Sequence, residues 1–73
     1  MKQDELNYYN YILQAVKEDY HEDVKALMNE NFRRNRNGLY NEEYAQTYIS
    51  SILPFIREEK VEEVRAFLYE FSE

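Results

Sequence analysis

His21 is the only histidine in a chain of 73 residues that contains no cysteine. A Ser-His-Asp or Cys-His arrangement could be assembled only around this one imidazole, which sits between Tyr20 and Glu22. Its place in an expected inter-helix turn reads as a solvent-facing histidine rather than a general base. Thr47, Ser50 and Ser51 fall on an expected helix, with no second histidine and no glycine-rich turn to present a nucleophile. They read as surface or interface hydroxyls. No catalytic residue is assigned, and the chain is expected not to be an enzyme.

Carboxylates gather at Glu18, Asp19, Glu22 and Asp23 and again at Glu58, Glu59, Glu62 and Glu63. Calcium and magnesium want several oxygen ligands, but the glycine and alternating acidic ligands of an EF-hand loop are missing. Glu22-Asp23 and Glu62-Glu63 are better suited to open a helix, where negative charge meets the positive end of the helix dipole and Lys25 or Arg65 follows one turn later. Di-iron bundles need Glu-x-x-His on two facing helices, which one histidine cannot supply twice. No metal and no cofactor are expected.

Arg33, Arg34 and Arg36, next to Phe32, make the only basic patch. An arginine cluster beside an aromatic ring could grip phosphate, so a weak nucleic-acid binder is one reading. Cations at a helix C-terminus also complement its dipole, with Phe32 completing an apolar stripe. The net charge of -6 disfavours nucleic acid and anionic membrane and leaves room for a basic protein target.

The elements that position these residues follow from a repeat. A shift of 40 positions aligns Tyr8, Ile12, Leu13, Glu18, Glu22, Val24, Ala26 and Glu30 with Tyr48, Ile52, Leu53, Glu58, Glu62, Val64, Ala66 and Glu70. Chance would supply about two such identities. Apolar residues recur at helical spacing: Leu6, Tyr9, Leu13, Val16 and Tyr20; Val24, Leu27, Met28 and Phe32; Ala45, Tyr48, Ile49, Ile52, Leu53 and Ile56; Val61, Val64, Phe67, Leu68 and Phe71. Gly38, the only glycine, follows Asn37 and ends a helix, while Asn41 offers an N-cap to the next.

The pattern predicts an all-α fold of two tandem helical hairpins forming a small bundle, in one domain over 1–73. Hairpin one covers 1–34, the central turn 35–40 and hairpin two 41–73. Each hairpin holds two short helices, with helix three kinked at Pro54 or restarting there. The rival is an antiparallel pair of long helices that dimerises to bury its stripes. Ala15-Val16-Lys17-Glu18-Asp19 through Val24-Lys25-Ala26-Leu27-Met28, and the equivalent stretch Phe55 to Leu68, resemble the helix-turn-helix segment of ankyrin repeats. The Thr-Pro-Leu-His start and the 33-residue period of that family are absent, so the likeness implies a local turn and no binding residues.

With 44% apolar and 16% aromatic residues the chain should fold, yet so short a domain buries a thin core and has no disulfide to supplement it. Association is expected for that reason. Tyr11, Tyr44, Tyr48, Phe55 and Tyr69 fall outside or beside the best stripes and are the candidate partner-binding residues. The same rings could instead widen the core. The leading expectation is a small acidic, non-enzymatic protein-interaction module or regulator, self-associating as a homodimer in which helix three packs on its copy through Tyr44, Tyr48 and Phe55. The alternative is an acidic inhibitor or antitoxin-like protein that covers the basic surface of a nucleic-acid-binding target. No continuous apolar stretch follows Met1-Lys2-Gln3-Asp4-Glu5, so no membrane segment or signal peptide is expected there and a cytoplasmic location is.

Overall fold

The computed structural model describes residues 3–71, which form four α-helices: α1 (Gln3–Ala15), α2 (His21–Arg36), α3 (Glu42–Ile52) and α4 (Val61–Phe71). The expected all-α class is therefore what is found; the outermost positions of the two predicted hairpins, 1–2 and 72–73, lie outside the described residues. Long uninterrupted helices are excluded, because the backbone leaves helical geometry at equivalent points of each half. Lys17 and Arg57 are extended, with φ/ψ of -57°/139° and -56°/137°. A single 3-10 turn follows each, Glu18–Tyr20 and Glu58–Lys60.

Neither break contains glycine or proline, and its cause is tertiary. Val16 and Ile56 pair as an isolated antiparallel bridge. The Lys17 N–H donates to the Phe55 carbonyl and the Arg57 N–H donates to the Ala15 carbonyl, both at 2.9 Å. These bonds satisfy backbone groups that have no partner where a helix stops. They are also reciprocal: each partner stands at the other's place in the repeat, which is the signature of a two-fold relation. Tyr8 and Tyr48 obey it too, hydrogen-bonding hydroxyl to hydroxyl across a separation of 40 residues. The halves thus face one another about an approximate two-fold axis within one chain.

Local chemistry sets the remaining boundaries. After α2 the Gly38 N–H donates to the Asn35 carbonyl at 3.2 Å and the Leu39 N–H to the Arg34 carbonyl at 2.8 Å, a Schellman closure. Gly38 supplies the required left-handed φ of 71°. Asn41 caps α3 as expected, its Oδ1 accepting the Tyr44 N–H at 2.8 Å. Pro54 does not kink the interior of α3. The α-helix ends at Ile52, and Pro54 sits in the 3-10 turn Leu53–Phe55 that follows, where its missing N–H leaves no gap.

The core is built on Ile12, Val16, Val24, Met28, Ile52, Ile56 and Val64, with Tyr8, Tyr48 and Leu68 packed around them. Three of the four predicted stripes survive in essence, but that of α1 is rotated. Its buried face is Tyr8, Ile12 and Ala15. Leu6 is 41% exposed and Tyr20 is exposed as well, while Leu13 is only partly buried. On α4, Phe71 is likewise exposed rather than core.

Candidate functional site

The residues proposed for a partner are scattered by the fold. Tyr48, expected beside a contact surface, is instead only 5% exposed, with its hydroxyl bonded to that of Tyr8. Tyr44 lies between the Tyr40 and Tyr48 rings at centroid distances of 5.7 and 6.1 Å, with the Arg34 guanidinium 4.6 Å above it. Phe55 is half-buried and packs on Tyr20 at 4.9 Å. Tyr11 touches Phe67 at 4.3 Å and donates its hydroxyl to Glu63 at 3.0 Å; partial burial and then that carboxylate raise its pKa. Of the five, Tyr69 is the most exposed, at 45%.

The arginine patch is engaged from within. Glu30 accepts hydrogen bonds from Arg33 at 2.6 and 2.9 Å and from Arg34 at 3.0 Å, and Arg36 lies 3.8 Å from Glu5. Arg33 first and Arg34 with it hold the Glu30 carboxyl down to about 2. The acidic clusters stay spread out: Glu22 pairs with Lys25 and Glu62 with Arg65, and among the described residues no group of three or more His, Asp or Glu side chains converges on a metal-sized site. His21 lies at the start of α2, its Nε2 3.3 Å from the Val16 carbonyl.

What the fold does assemble lies at the end of the molecule opposite the Val16–Ile56 bridge, where α1 and α3 begin and α2 and α4 finish. We call this the open end. A cavity of about 230 Å³ opens there among the Tyr8, Phe32, Tyr48 and Phe71 rings, with Glu5 and Asn31 as polar members of its wall. Tyr8 joins two of them, its ring meeting Phe32 at 5.5 Å and Phe71 at 4.7 Å. Asn31 is 7% exposed, and its Oδ1 is buried with no hydrogen-bond partner among the described residues. A second groove of about 380 Å³ adjoins it between Tyr40, Glu42, Ala45 and Tyr69, and a third lies on Phe67, Glu70 and Phe71. Phe71 is 48% exposed.

Sequence reasoning missed Glu5, Tyr8, Asn31 and Phe71 as a group. A signal for Asn31 was present: with Val24, Met28 and Phe32 it follows helical spacing, which puts a carboxamide on a core-facing stripe. Glu5 carried none, since an acidic first turn is ordinary helix chemistry. Among the described residues no helix is long and apolar enough to cross a membrane. No protein-family model matches this chain, and no curated protein and no solved structure matches it significantly.

Proposed function

We propose that this chain is a non-enzymatic protein-interaction module whose contact face is the open end and whose partner is basic. One observation carries the reading. Three concavities at that end each hold a carboxylate, Glu5, Glu42 or Glu70, beside aromatic side chains, and among the described residues that line them there is no Lys, Arg or His. Single exposed apolar residues are ordinary on a protein surface, but aromatics grouped around grooves of one charge sign are the composition of a contact face. Complementary charge would steer and select a cationic surface, in keeping with the chain's net charge of -6. A second copy would bring the same carboxylates against themselves, so self-association is the competing occupant and the less favoured.

Selection of displayed random peptides against the immobilised chain tests this. Peptides rich in Lys and Arg should be enriched, and the enrichment should fall when Tyr69→Ser and Glu42→Gln are introduced together but persist with Tyr20→Ser, near the bridge. Enrichment without a basic bias, or one indifferent to the Tyr69 and Glu42 changes, refutes the reading. Sedimentation of the chain alone examines the rival: a dimer broken by the same two changes would assign this face to a second copy.

A further inference from the structure

We propose that a second copy of this chain is a partner for the surface between the halves: two molecules exchange hairpins, so that hairpin one of each packs on hairpin two of the other. That surface is internal to the closed chain, and the exchange is independent of what the open end binds.

Each half is incomplete alone. The Ala15 carbonyl has its donor in the Arg57 N–H, and the Phe55 carbonyl has its donor in the Lys17 N–H. The Tyr8 and Tyr48 hydroxyls are bonded across the same boundary. A separated hairpin leaves these groups unsatisfied and its apolar face in water, so it must find an equivalent half elsewhere. A second copy supplies one with every contact intact. The exchanged pair of halves has the same sequence, the same register and the same two-fold relation as the closed pair.

The connection decides between the two arrangements. Residues 37–41 join α2 to α3 and lie outside the core, Leu39 being 51% exposed. The chain reverses there because Gly38 takes a φ of 71°, and packing does not enforce it: a Cβ added at Gly38 would meet nothing within 4 Å. With Gly38 right-handed, the backbone runs on from α2 toward α3 and carries hairpin two away from its own hairpin one. The exchange gives up only the turn bonds of the Gly38 and Leu39 N–H groups, which continued helix replaces. In dilute solution the closed chain wins, because a short connection holds the halves at an effective concentration on the order of a millimolar. Exchange competes as the protein approaches that concentration. Gly38→Ala lowers the threshold. A left-handed alanine weakens each closed chain by about five- to thirtyfold, and one exchanged dimer relieves two such hinges, so its dissociation constant should fall on the order of a hundredfold.

Crosslinking reads the exchange, since the chain has no cysteine of its own. Val16 and Ile56 face each other at the bridge and are 0% and 1% exposed, so collision of two closed molecules cannot join them. A full-length copy carrying Val16→Cys and another carrying Ile56→Cys are unfolded, mixed and refolded together with oxidised glutathione, with and without Gly38→Ala. A disulfide between the copies is expected, its yield rising with protein concentration and reached at about hundredfold lower concentration with Gly38→Ala. Val16→Cys refolded alone should give no link. The chain changed only by Gly38→Ala keeps the core intact and should sediment as a dimer at about 100 µM, with the Lys17 and Arg57 amides still slow to exchange. Four results would each overturn the inference. They are folded copies that never link, a link in the Val16→Cys sample alone, which would mean that like halves pair, a Gly38→Ala chain that stays monomeric, and a dimer in which those two amides exchange fast.

Discussion

The hydroxyl pair on the intramolecular two-fold axis makes a prediction whose sign reverses between single and double variants. Tyr8 and Tyr48 are buried, their hydroxyls are each other's hydrogen-bond partner, and no other bond among the described residues reaches either one. Tyr48→Phe removes one net hydrogen bond, worth about 1 kcal/mol, and leaves the Tyr8 hydroxyl buried without a partner, a further penalty of about 1–3 kcal/mol. Tyr8→Phe does the same to Tyr48. The double variant removes both polar groups from a well-packed site and leaves nothing unpaired, so it should lie within about 1 kcal/mol of wild type. A loss of about 2 kcal/mol lowers the melting temperature of so small a domain by about 8–16 °C. Thermal and urea unfolding followed by far-ultraviolet circular dichroism would read all four proteins, and the coupling energy comes from the cycle. Single variants that add in the double would refute the mutual-pair reasoning. Singles that melt like wild type would refute it as well, by showing that the adjoining cavity supplies each phenol with water.

Alkaline stability follows from the same pair. Burial raises both phenols above the ordinary value near 10, so their contribution is complete below that pH and declines above it, by about 1.4 kcal/mol per pH unit for each phenol. Urea midpoints should fall from about pH 10 upward and fall less in the double Phe variant, whereas free ionisation of all eight tyrosines without unfolding would contradict the burial argument. Glu30 behaves oppositely: Arg33 and Arg34 hold it at about 2, so its stabilising effect is present above the ordinary glutamate range and lost as the pH falls through that value. A carboxyl titration by nuclear magnetic resonance with an ordinary glutamate midpoint would sink this account. In hydrogen exchange, the Lys17 and Arg57 amides should be slow although they lie outside every helix, because they donate across the bridge at 2.9 Å, while Glu18 and Glu58 exchange fast; equal rates at these positions would mean that the bridge is open in solution.

Local chemistry was legible in the sequence wherever one residue type had one structural use. Gly38 after Asn37, the Asn41 cap, the acidic openings of α2 and α4 and the helical periods of α2, α3 and α4 act within a turn or two of backbone, and they set four short helices. The rotation of α1 was also recoverable, since the repeat matches Tyr8 and Ile12 to Tyr48 and Ile52, and the cleaner stripe of α3 could have been carried across. Leu6 and Tyr20 misled because a long run of apolar residues on α1 fits more than one stripe, and only packing against the other half chooses between them. The tertiary structure alone decided that Tyr8, Tyr11, Tyr44 and Tyr48 pack on other rings of the same chain while Tyr69 and Phe71 stay exposed. Reciprocal bonds between positions 40 residues apart close a two-fold interface that a helix pattern cannot distinguish from one between two molecules. It also brought Glu5, Asn31 and Phe71 to one cavity, because a contact between the first turn of one helix and the last turns of two others depends on how the helices cross, and no local preference along the chain encodes that crossing.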